Sequence, residues 1–124
     1  MKHFVQYHNV EKMGGRPSES YILTKKSGKF VEEMKGNKIW LISGEGRPRH
    51  YALCAFFIAD EIRLTNESGY KYRISGKTGR LLVPEVPLDQ QSWFRRFLAA
   101  QQNFSLGLRE IGSPFVEELE RLVA

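Results

Sequence analysis

Residues 38–58 read KIWLISGEGRPRHYALCAFFI, and this segment decides the fold class of the chain. It contains two strand-length runs, residues 38–42 and 50–58, separated by a stretch rich in glycine that ends in Pro48. Glycine and proline between two such runs favour a turn, so the segment is predicted to be a β-hairpin. The second run is apolar on both faces, which is typical of a central strand covered on each side.

The residues before this hairpin predict two further strands. Residues 4–9 alternate between the two faces of a strand, and residues 21–24 form a short apolar run. The polar stretch between them, residues 11–20, is predicted to be a loop or a broken helix. Residues 30–34 are predicted to form one or two helical turns.

More strands are predicted after the hairpin. Residues 62–64 are expected to continue the second strand of the hairpin. After a turn, residues 70–75 alternate as a half-buried strand with a basic outer face. Residues 80–83 form the last predicted strand, and Pro84 and Pro87 end the strand region.

The C-terminal residues predict two helices. Aromatic and aliphatic residues recur at helical spacing over residues 93–98, with Asp89 or Ser92 as the expected N-cap. A second apolar stripe over residues 115–123 follows Ser113, the expected N-cap of that helix.

Strands followed by helices predict an α+β fold. We expect a small, mostly antiparallel β-barrel or curled sheet with the C-terminal helices packed against it. The 124 residues fit a single domain, strand-rich over residues 1–88 and helical over residues 89–124.

The net charge of +5 is unevenly distributed along the chain. Residues 1–84 hold 15 Lys and Arg against 8 Asp and Glu, a net charge of +7. Residues 85–124 hold 4 against 6, a net charge of −2. A basic body favours a polyanionic partner, of which nucleic acid is the commonest.

Several other classes of function are disfavoured. No run of about 18 apolar residues is present, so no membrane-spanning helix is predicted. The N-terminus has no signal-peptide-like core and Cys54 is the single cysteine, which favours the cytoplasm. The three histidines are far apart in the chain, so neither a metal nor another cofactor is predicted. No catalytic motif is recognised, so a binding module is favoured over an enzyme and no catalytic residue is assigned.

The end of the first strand carries the first candidate binding site. Gln6, Tyr7, His8 and Asn9 bring aromatic, imidazole and carboxamide groups together. Such groups stack on a planar base and hydrogen-bond its edge. The alternative is that Tyr7 is a core residue and that His8 and Asn9 cap a turn. Trp40 is likewise either a core residue or one wall of an aromatic pocket.

The linker between the two helices offers a further candidate. Residues 101–105 are polar apart from Phe104. This linker either closes a pocket, with Asn103 contributing to it, or inserts Phe104 into the core at the helix end.

A set of basic side chains on two predicted hairpins forms the second candidate site. Arginine and lysine on rigid hairpins grip phosphates through charge and through the geometry of the guanidinium group. The alternative is a solvated outer face, and the sequence leaves open whether the two hairpins share one face. The candidate phosphate-binding residues are Arg47, Arg49, His50, Lys71, Arg73, Lys77 and Arg80.

The order of the strands, together with residues 39–48, 51–53 and 58–62, resembles the PUA-like superfamily and in particular its EVE, YTH and ASCH groups. The resemblance implies a five- or six-stranded barrel with flanking helices. It also implies binding of nucleic acid, with a modified base held in an aromatic pocket. The pocket residues that it implies are the aromatics Tyr7 and Trp40, with His8, Asn9 and Ser43 bonding the edge of the base.

The sequence therefore predicts a non-catalytic nucleic-acid-binding module that reads a modified base. Since no nuclease signature is present, any cleavage is expected from a partner protein such as a nuclease. The alternative is a small cytosolic domain that binds a protein or a ligand through its C-terminal helices. The oligomeric state is left open.

Overall fold

The computed structural model describes residues 1–124 as eight β-strands in two hydrogen-bonded sheets, with four helices. The strands are β1 (His3–Asn9), β2 (Tyr21–Thr24), β3 (Lys38–Glu45), β4 (His50–Ile58), β5 (Glu61–Leu64), β6 (Tyr72–Ser75), β7 (Gly79–Pro87) and β8 (Arg109–Ile111). The helices are α1 (Val10–Met13), α2 (Gly28–Glu32), α3 (Phe94–Ala100) and α4 (Phe115–Val123). The predicted α+β class is confirmed.

The larger sheet has the strand order β7-β4-β3-β1-β8, and the smaller sheet has the order β2-β6-β5. Neighbouring strands are antiparallel, except that β1 runs parallel to β3. The central position predicted for residues 50–58 is confirmed, because β4 lies between β3 and β7. Each sheet is open at its edges, so a closed barrel is not formed by hydrogen bonds.

A β-bulge in β4 divides its side chains between two cores. Leu41 faces Ala55 and Ile42 faces Leu53, so Cys54 is an extra residue on β4. Such a bulge reverses the alternation of side chains along the strand. As a result Leu53 packs against the helices, whereas Cys54 and Ala55 face the smaller sheet. Because a core covers each face of β4, residues 51–58 are apolar at every position.

Two hydrophobic cores lie on opposite faces of the five-stranded sheet. The inter-sheet core fills the space toward the smaller sheet and α2, and the helix-side core fills the space toward α3 and α4. The buried residues of the inter-sheet core are Phe4, Ile22, Val31, Met34, Ile39, Leu41, Cys54, Ala55, Phe57, Ala59, Ile74 and Leu108. Those of the helix-side core are Val5, Trp40, Ile42, Leu53, Leu82, Leu88, Trp93, Phe94, Phe97, Phe104, Ile111 and Leu119.

The short strand β8 covers only part of β1. It pairs with His3, Phe4 and Val5, and the register ends at Val5 opposite Arg109. The second half of β1, residues 6–9, therefore has a strand neighbour only on the β3 side.

Several local predictions were wrong. Residues 62–64 do not continue β4 but belong to β5, which pairs with β6 in the other sheet. Residues 43–45 are strand, so the turn begins only at Gly46. Helix α3 has no side-chain N-cap, because the Asp89 carboxylate instead accepts the backbone N–H of Tyr51 at 3.2 Å.

No helix is both long enough and apolar enough to cross a bilayer.

Candidate functional site

A cleft of about 770 Å³ opens at the C-terminal end of β1. Its walls come from β1, residues 14–19 after α1, β2 and residues 104–108 before β8. Because β8 pairs with only the first half of β1, no strand occupies this side of residues 6–9. The cleft is thus a direct result of the shortness of β8.

The side chains of β1 change from core to cleft along the strand. Phe4, Gln6 and His8 alternate with Val5 and Tyr7, so they share the face that turns toward the smaller sheet. Phe4 is buried in the inter-sheet core, whereas Gln6 and His8 are partly exposed and line the cleft. The core on this face therefore ends where the cleft begins.

The carboxamide of Gln6 is only half satisfied. Its Nε2 donates to the carbonyl oxygen of Tyr7 at 3.2 Å. Its Oε1 is buried and has no hydrogen-bond partner, the single buried side-chain nitrogen or oxygen atom of the chain in that state. Buried polar atoms without partners are rare in folded proteins and are often found where a ligand or water binds.

His8 and Asn9 organise the loop that forms one wall. His8 Nε2 lies 2.7 Å from the carbonyl oxygen of Gly15, so Nε2 carries the proton and donates. The Asn9 Oδ1 accepts the backbone N–H of Lys12 at 3.1 Å and caps α1. The interpretation of these two residues as turn-capping groups is therefore correct, although both also line the cleft.

Tyr7 and Phe104 form the aromatic end of the cleft. Their rings are parallel within 3° and their centroids lie 4.9 Å apart. Both residues line the cleft, and Phe104 is also part of the helix-side core. Of the two alternatives for this linker, insertion of Phe104 into the core is the one that the structure supports, and the same ring also lines the cleft.

Gly44 makes room for the ring of Tyr7. A Cβ atom at residue 44 would lie 2.1 Å from the Tyr7 hydroxyl oxygen and 2.7 Å from its nearest ring carbons. The absence of a side chain here lets the Tyr7 ring lie across β3.

Basic side chains outnumber acidic ones around the cleft. The lining includes Lys12, Lys25, Lys26 and Arg16 against two carboxylates. Arg16 is neutralised by Glu45 at 3.1 Å and Glu85 at 3.4 Å. No carboxylate lies within 4 Å of the three lysines. Lys26 donates to the carbonyl oxygen of Leu106 at 3.2 Å, and Lys25 and Lys26 each lie 5.4 Å from the centroid of an aromatic ring. These three lysines are referred to below as the cleft lysines.

The acidic residues of the cleft are engaged elsewhere. Glu19 forms an ion pair with Arg73 at 3.4 Å. Glu67 accepts a hydrogen bond from the Tyr21 hydroxyl at 3.1 Å, and the pKa of Tyr21 is raised, first by burial and then by this carboxylate. The cleft lysines consequently dominate the free charge of this surface.

Three residues of the predicted base pocket do not line this cleft. Trp40 is fully buried in the helix-side core, where its Nε1 donates to His3 Nδ1 at 3.1 Å. Ser43 is buried on β3, and its hydroxyl lies beside Cys54. Asn103 is exposed, and the cleft is lined instead by the residues that follow it. Of the predicted pocket, the structure brings together Tyr7, His8 and Asn9.

The segment around Asn103 has an unusual backbone. Gln102, Asn103 and Phe104 have φ values of 50°, 55° and 63°, so three successive residues are left-handed. This conformation costs about 1–2 kcal/mol for each residue that is not glycine. The segment directs the Phe104 ring inward onto Tyr7.

The predicted phosphate-binding residues do not share one surface. Arg47, Arg49 and His50 lie at the turn that begins β4, whereas Lys77 and the turn into β7 lie at the other end of β4. Nine residues of strand span about 26 Å, so the two hairpin tips are separated by nearly the length of the sheet.

Most of these basic groups have local partners. Arg49 pairs with Glu11, His50 with Asp89 at 3.6 Å, and Arg73 with Glu19. Lys71 lies over the Tyr72 ring, and Arg80 lies over the Phe56 ring at 5.2 Å while donating to the Val123 carbonyl. Arg47 and Lys77 are exposed and have no ion pair.

The Arg49–Glu11 pair is the most strongly coupled of these contacts. The backbone N–H of Gly46 and the Arg49 guanidinium lower the pKa of Glu11 to about 2. This carboxylate therefore fastens α1 to the turn between β3 and β4, and the charge of Arg49 is largely used within the fold.

Cys54 and the C-terminal aromatics are structural residues. Burial raises the pKa of the Cys54 thiol to about 11, so the reactive thiolate is scarce at neutral pH. Trp93, Phe94 and Phe97 are buried in the helix-side core, so these aromatics do not form an exposed docking face on the C-terminal helices. No group of three or more His, Cys, Asp or Glu side chains is arranged to hold a metal ion.

Sequence reasoning missed the cleft lysines and the unpaired Oε1 of Gln6. Lys12, Lys25 and Lys26 lie on loops outside the basic hairpins, and they meet because β1 and β2 border the same space. The runs Lys25-Lys26 and Glu11-Lys12 next to predicted strand ends were the available signals. Comparisons with known proteins found no matching family model, no similar curated protein and no similar solved structure.

Proposed function

We propose that this chain is a non-catalytic nucleic-acid-binding module that accepts an exposed base in the cleft at the end of β1. The observation that carries the proposal is the joining of two features in one concave space. Gln6 and His8 line the cleft from one face of β1, Tyr7 and Phe104 form its aromatic end, and three lysines without carboxylate partners also line it.

The chemistry of the two features suits a nucleotide. The side chains of Gln6 and His8, which share one face of β1, offer edge hydrogen bonds to a base, and the stacked Tyr7 and Phe104 rings form one end of the cleft. The cleft lysines attract the phosphates next to that base. A base inside a duplex cannot enter a cleft between two sheets, so the base is presented by a single strand or after flipping.

The resemblance to the PUA-like superfamily supports the same proposal. The backbone N–H groups of Ile58 and Asp60 donate to Thr78 and Ser75 at 2.8 and 3.0 Å. These bonds link the end of β4 to the chain that connects the two sheets. We infer that the two sheets correspond to the small barrel of that superfamily, whose EVE and YTH groups hold a modified base in an aromatic pocket.

A salt titration tests the proposal. Fluorescence anisotropy of a labelled single-stranded 12-mer is measured with wild-type protein between 50 and 200 mM salt. If about three phosphates are neutralised on a single strand, the logarithm of affinity falls with the logarithm of salt with a slope near −2. Undetectable binding at low salt, or affinity that does not depend on salt, contradicts the proposal.

The modified-base part has its own test. Two 12-mers of the same sequence, with and without a methylated cytosine, are compared in the same assay. Tighter binding of the methylated strand supports a reader of modified bases. Equal affinity limits the proposal to the recognition of ordinary bases. Any cleavage of the strand is expected from a partner protein such as a nuclease.

A further inference from the structure

A second, smaller cleft adjoins the cleft at the end of β1. It has a volume of about 520 Å³ and is lined by residues of α2 and by residues 102–110, which lead into β8. Lys26 and Leu108 line both clefts, so the two spaces meet at these residues. A ligand that extends past Lys26 from the first cleft therefore enters the second.

Lys26 forms the boundary between the two clefts. Its Nζ donates to the carbonyl oxygen of Leu106 at 3.2 Å, and this bond joins the chain after β2 to the chain before β8. An ammonium group has three N–H bonds, so two remain for a ligand. The side chain is partly exposed and has no carboxylate within 4 Å. A phosphate is therefore attracted to this boundary.

The lining of the second cleft suits a base better than a phosphate. Phe30 is partly exposed and adds an aromatic ring to the lining. The cations of this cleft are Lys26 and Arg109, and its carboxylates are Glu33 and Glu110. Because these charges cancel, the second cleft attracts phosphate less than the first, whereas an aromatic ring packs against any base.

The distance between Lys26 and the Phe30 ring fits one nucleotide. Lys26 Nζ lies 5.4 Å from the centroid of this ring. A phosphate oxygen bonded to the ammonium at about 2.8 Å is then no more than about 8 Å from the ring centre. The phosphate and the base of a single nucleotide can contact Lys26 and Phe30 within this span.

We propose that the two clefts form one groove for consecutive nucleotides of a single strand, with one base in each cleft and the phosphate between them at Lys26. This inference rests on the proposed nucleic-acid function and narrows its ligand to a single strand. A base flipped out of a duplex fills only one cleft, because its neighbours stay stacked in the helix.

Three dinucleoside monophosphates test for two base sites. One carries two cytosines, and each of the others has an abasic sugar in place of one cytosine, so all three have the same single phosphate. Each competes with a labelled oligo-dC 12-mer for wild-type protein at 50 mM salt. Two base sites predict that the complete molecule competes at about tenfold lower concentration than either abasic one, a typical gain from one aromatic contact to a base. A single base site predicts at most about a twofold advantage, the statistical gain from carrying two bases.

Substitutions of Phe30 test the second cleft itself. Phe30→Leu keeps an apolar side chain beside Phe4 but removes the ring, so the tenfold advantage should fall to about twofold. Phe30→Tyr keeps the ring and should keep the advantage. The matched control Phe115→Leu changes a partly buried phenylalanine of α4 that lines neither cleft, and it should keep the advantage as well. Thermal melting checks that each variant is folded.

The position of the phosphate is tested by single lysine changes. The complete dinucleoside has its only phosphate between the two bases, so Lys26→Gln should weaken it several-fold more than Lys12→Gln, which alters a lysine of the first cleft alone. Equal losses would place the phosphate away from the boundary and contradict the proposed path of the strand.

The outcomes separate this inference from the proposed function. If the 12-mer binds but the complete dinucleoside has at most a twofold advantage, the two-cleft groove is wrong and the nucleic-acid function stands. If Phe30→Leu keeps the tenfold advantage, the second base lies elsewhere and the assignment of the second cleft is wrong. If the 12-mer does not bind at low salt, the proposed function and the inference fall together.

Discussion

The two faces of the five-stranded sheet are built from the same strands but end differently. On the helix side, side chains fill the face along its length, and Trp40, Phe97 and Leu119 are fully buried. On the other face the core includes Phe4 and Ile39 but ends before Gln6 and His8, which lie further along β1 and are partly exposed. The helix-side face is thus filled by buried side chains that stabilise the fold, whereas the end of the other face is open and could admit a ligand.

The difference comes from what covers each face. Helices α3 and α4 together carry aromatic and aliphatic residues across the helix side. The smaller sheet has strands of only four residues, so it cannot cover the whole of the opposite face. We therefore expect substitutions on the two faces to separate into effects on folding and effects on binding.

The largest expected effect is on the helix side. Phe97→Ala removes a fully buried ring that contacts Trp93, Phe104 and Phe115, and it should lower the free energy of unfolding by about 3–5 kcal/mol. His8→Ala on the cleft side loses one hydrogen bond and should cost about 1 kcal/mol or less. Urea denaturation measures both, and equal losses would contradict the division between the faces.

Gly44→Ala tests the close contact between the Tyr7 ring and β3. The new Cβ collides with the Tyr7 ring, so Tyr7 must move away from Phe104, and we expect a loss of about 1–3 kcal/mol in the free energy of unfolding. Gly112→Ala is the matched control, since a Cβ there meets nothing within 4 Å. The control should stay within about 0.5 kcal/mol of wild type. A Gly44 variant as stable as the control would show that Tyr7 is not held by this contact.

Replacing the cleft lysines tests the open end directly. The triple change Lys12→Gln, Lys25→Gln and Lys26→Gln should weaken oligonucleotide binding about 10- to 100-fold at low salt and flatten its salt dependence, because phosphate contacts are lost. Anisotropy titrations measure the affinity, and thermal melting checks that the fold persists.

The control for the lysine variant makes the same change in charge elsewhere. Lys35→Gln, Arg47→Gln and Lys77→Gln alter exposed residues that do not line the cleft. Affinity should then fall less than about threefold, since only the general field of the protein changes. A loss as large as that of the cleft variant would move the binding surface to the hairpins.

The smallest effect concerns acid stability at the turn between β3 and β4. The pKa of Glu11 is lowered to about 2, so its contribution to stability is complete above the ordinary value of 4.5, shrinks as the pH falls below it, and is lost only as the pH falls through about 2. Glu11→Gln should be slightly less stable than wild type at pH 7, and the difference should become clearly smaller between pH 4.5 and pH 2. Denaturation curves at several pH values measure the difference, and one that is as large at pH 2 as at pH 7 would contradict the assignment.

The parts of the fold that the sequence predicts depend on local patterns. The hairpin of β3 and β4 follows from two strand-length runs around a turn, and the apolar stripe of α4 follows from helical spacing. Strand β8 has only three residues and no periodicity, and it exists because it pairs with β1, which lies more than 100 residues earlier in the chain. Such non-local pairing leaves no signature in the segment itself.

Only part of the candidate site could be predicted, because only that part is formed by residues next to one another in the sequence. Tyr7, His8 and Asn9 stand out because polar and aromatic groups gather at the end of one strand. The basic hairpins were predicted to bind phosphate because of their charge. A count of charges does not reveal ion pairs such as that of Arg49 with Glu11, which lies 38 residues away. The cleft lysines, which have no carboxylate partner, could be recognised only after the ion pairs of the other cations were known.

The partial pairing of β1 with β8 also affects where the sheet opens locally. Residues 3–5 are held by strands on both sides, whereas residues 6–9 have a strand on one side only. Local opening therefore requires fewer broken bonds in the second half of β1 than in the first. Amide hydrogens should exchange with solvent faster toward Asn9 than at Val5. The first half of β1 is therefore held more firmly than its second half.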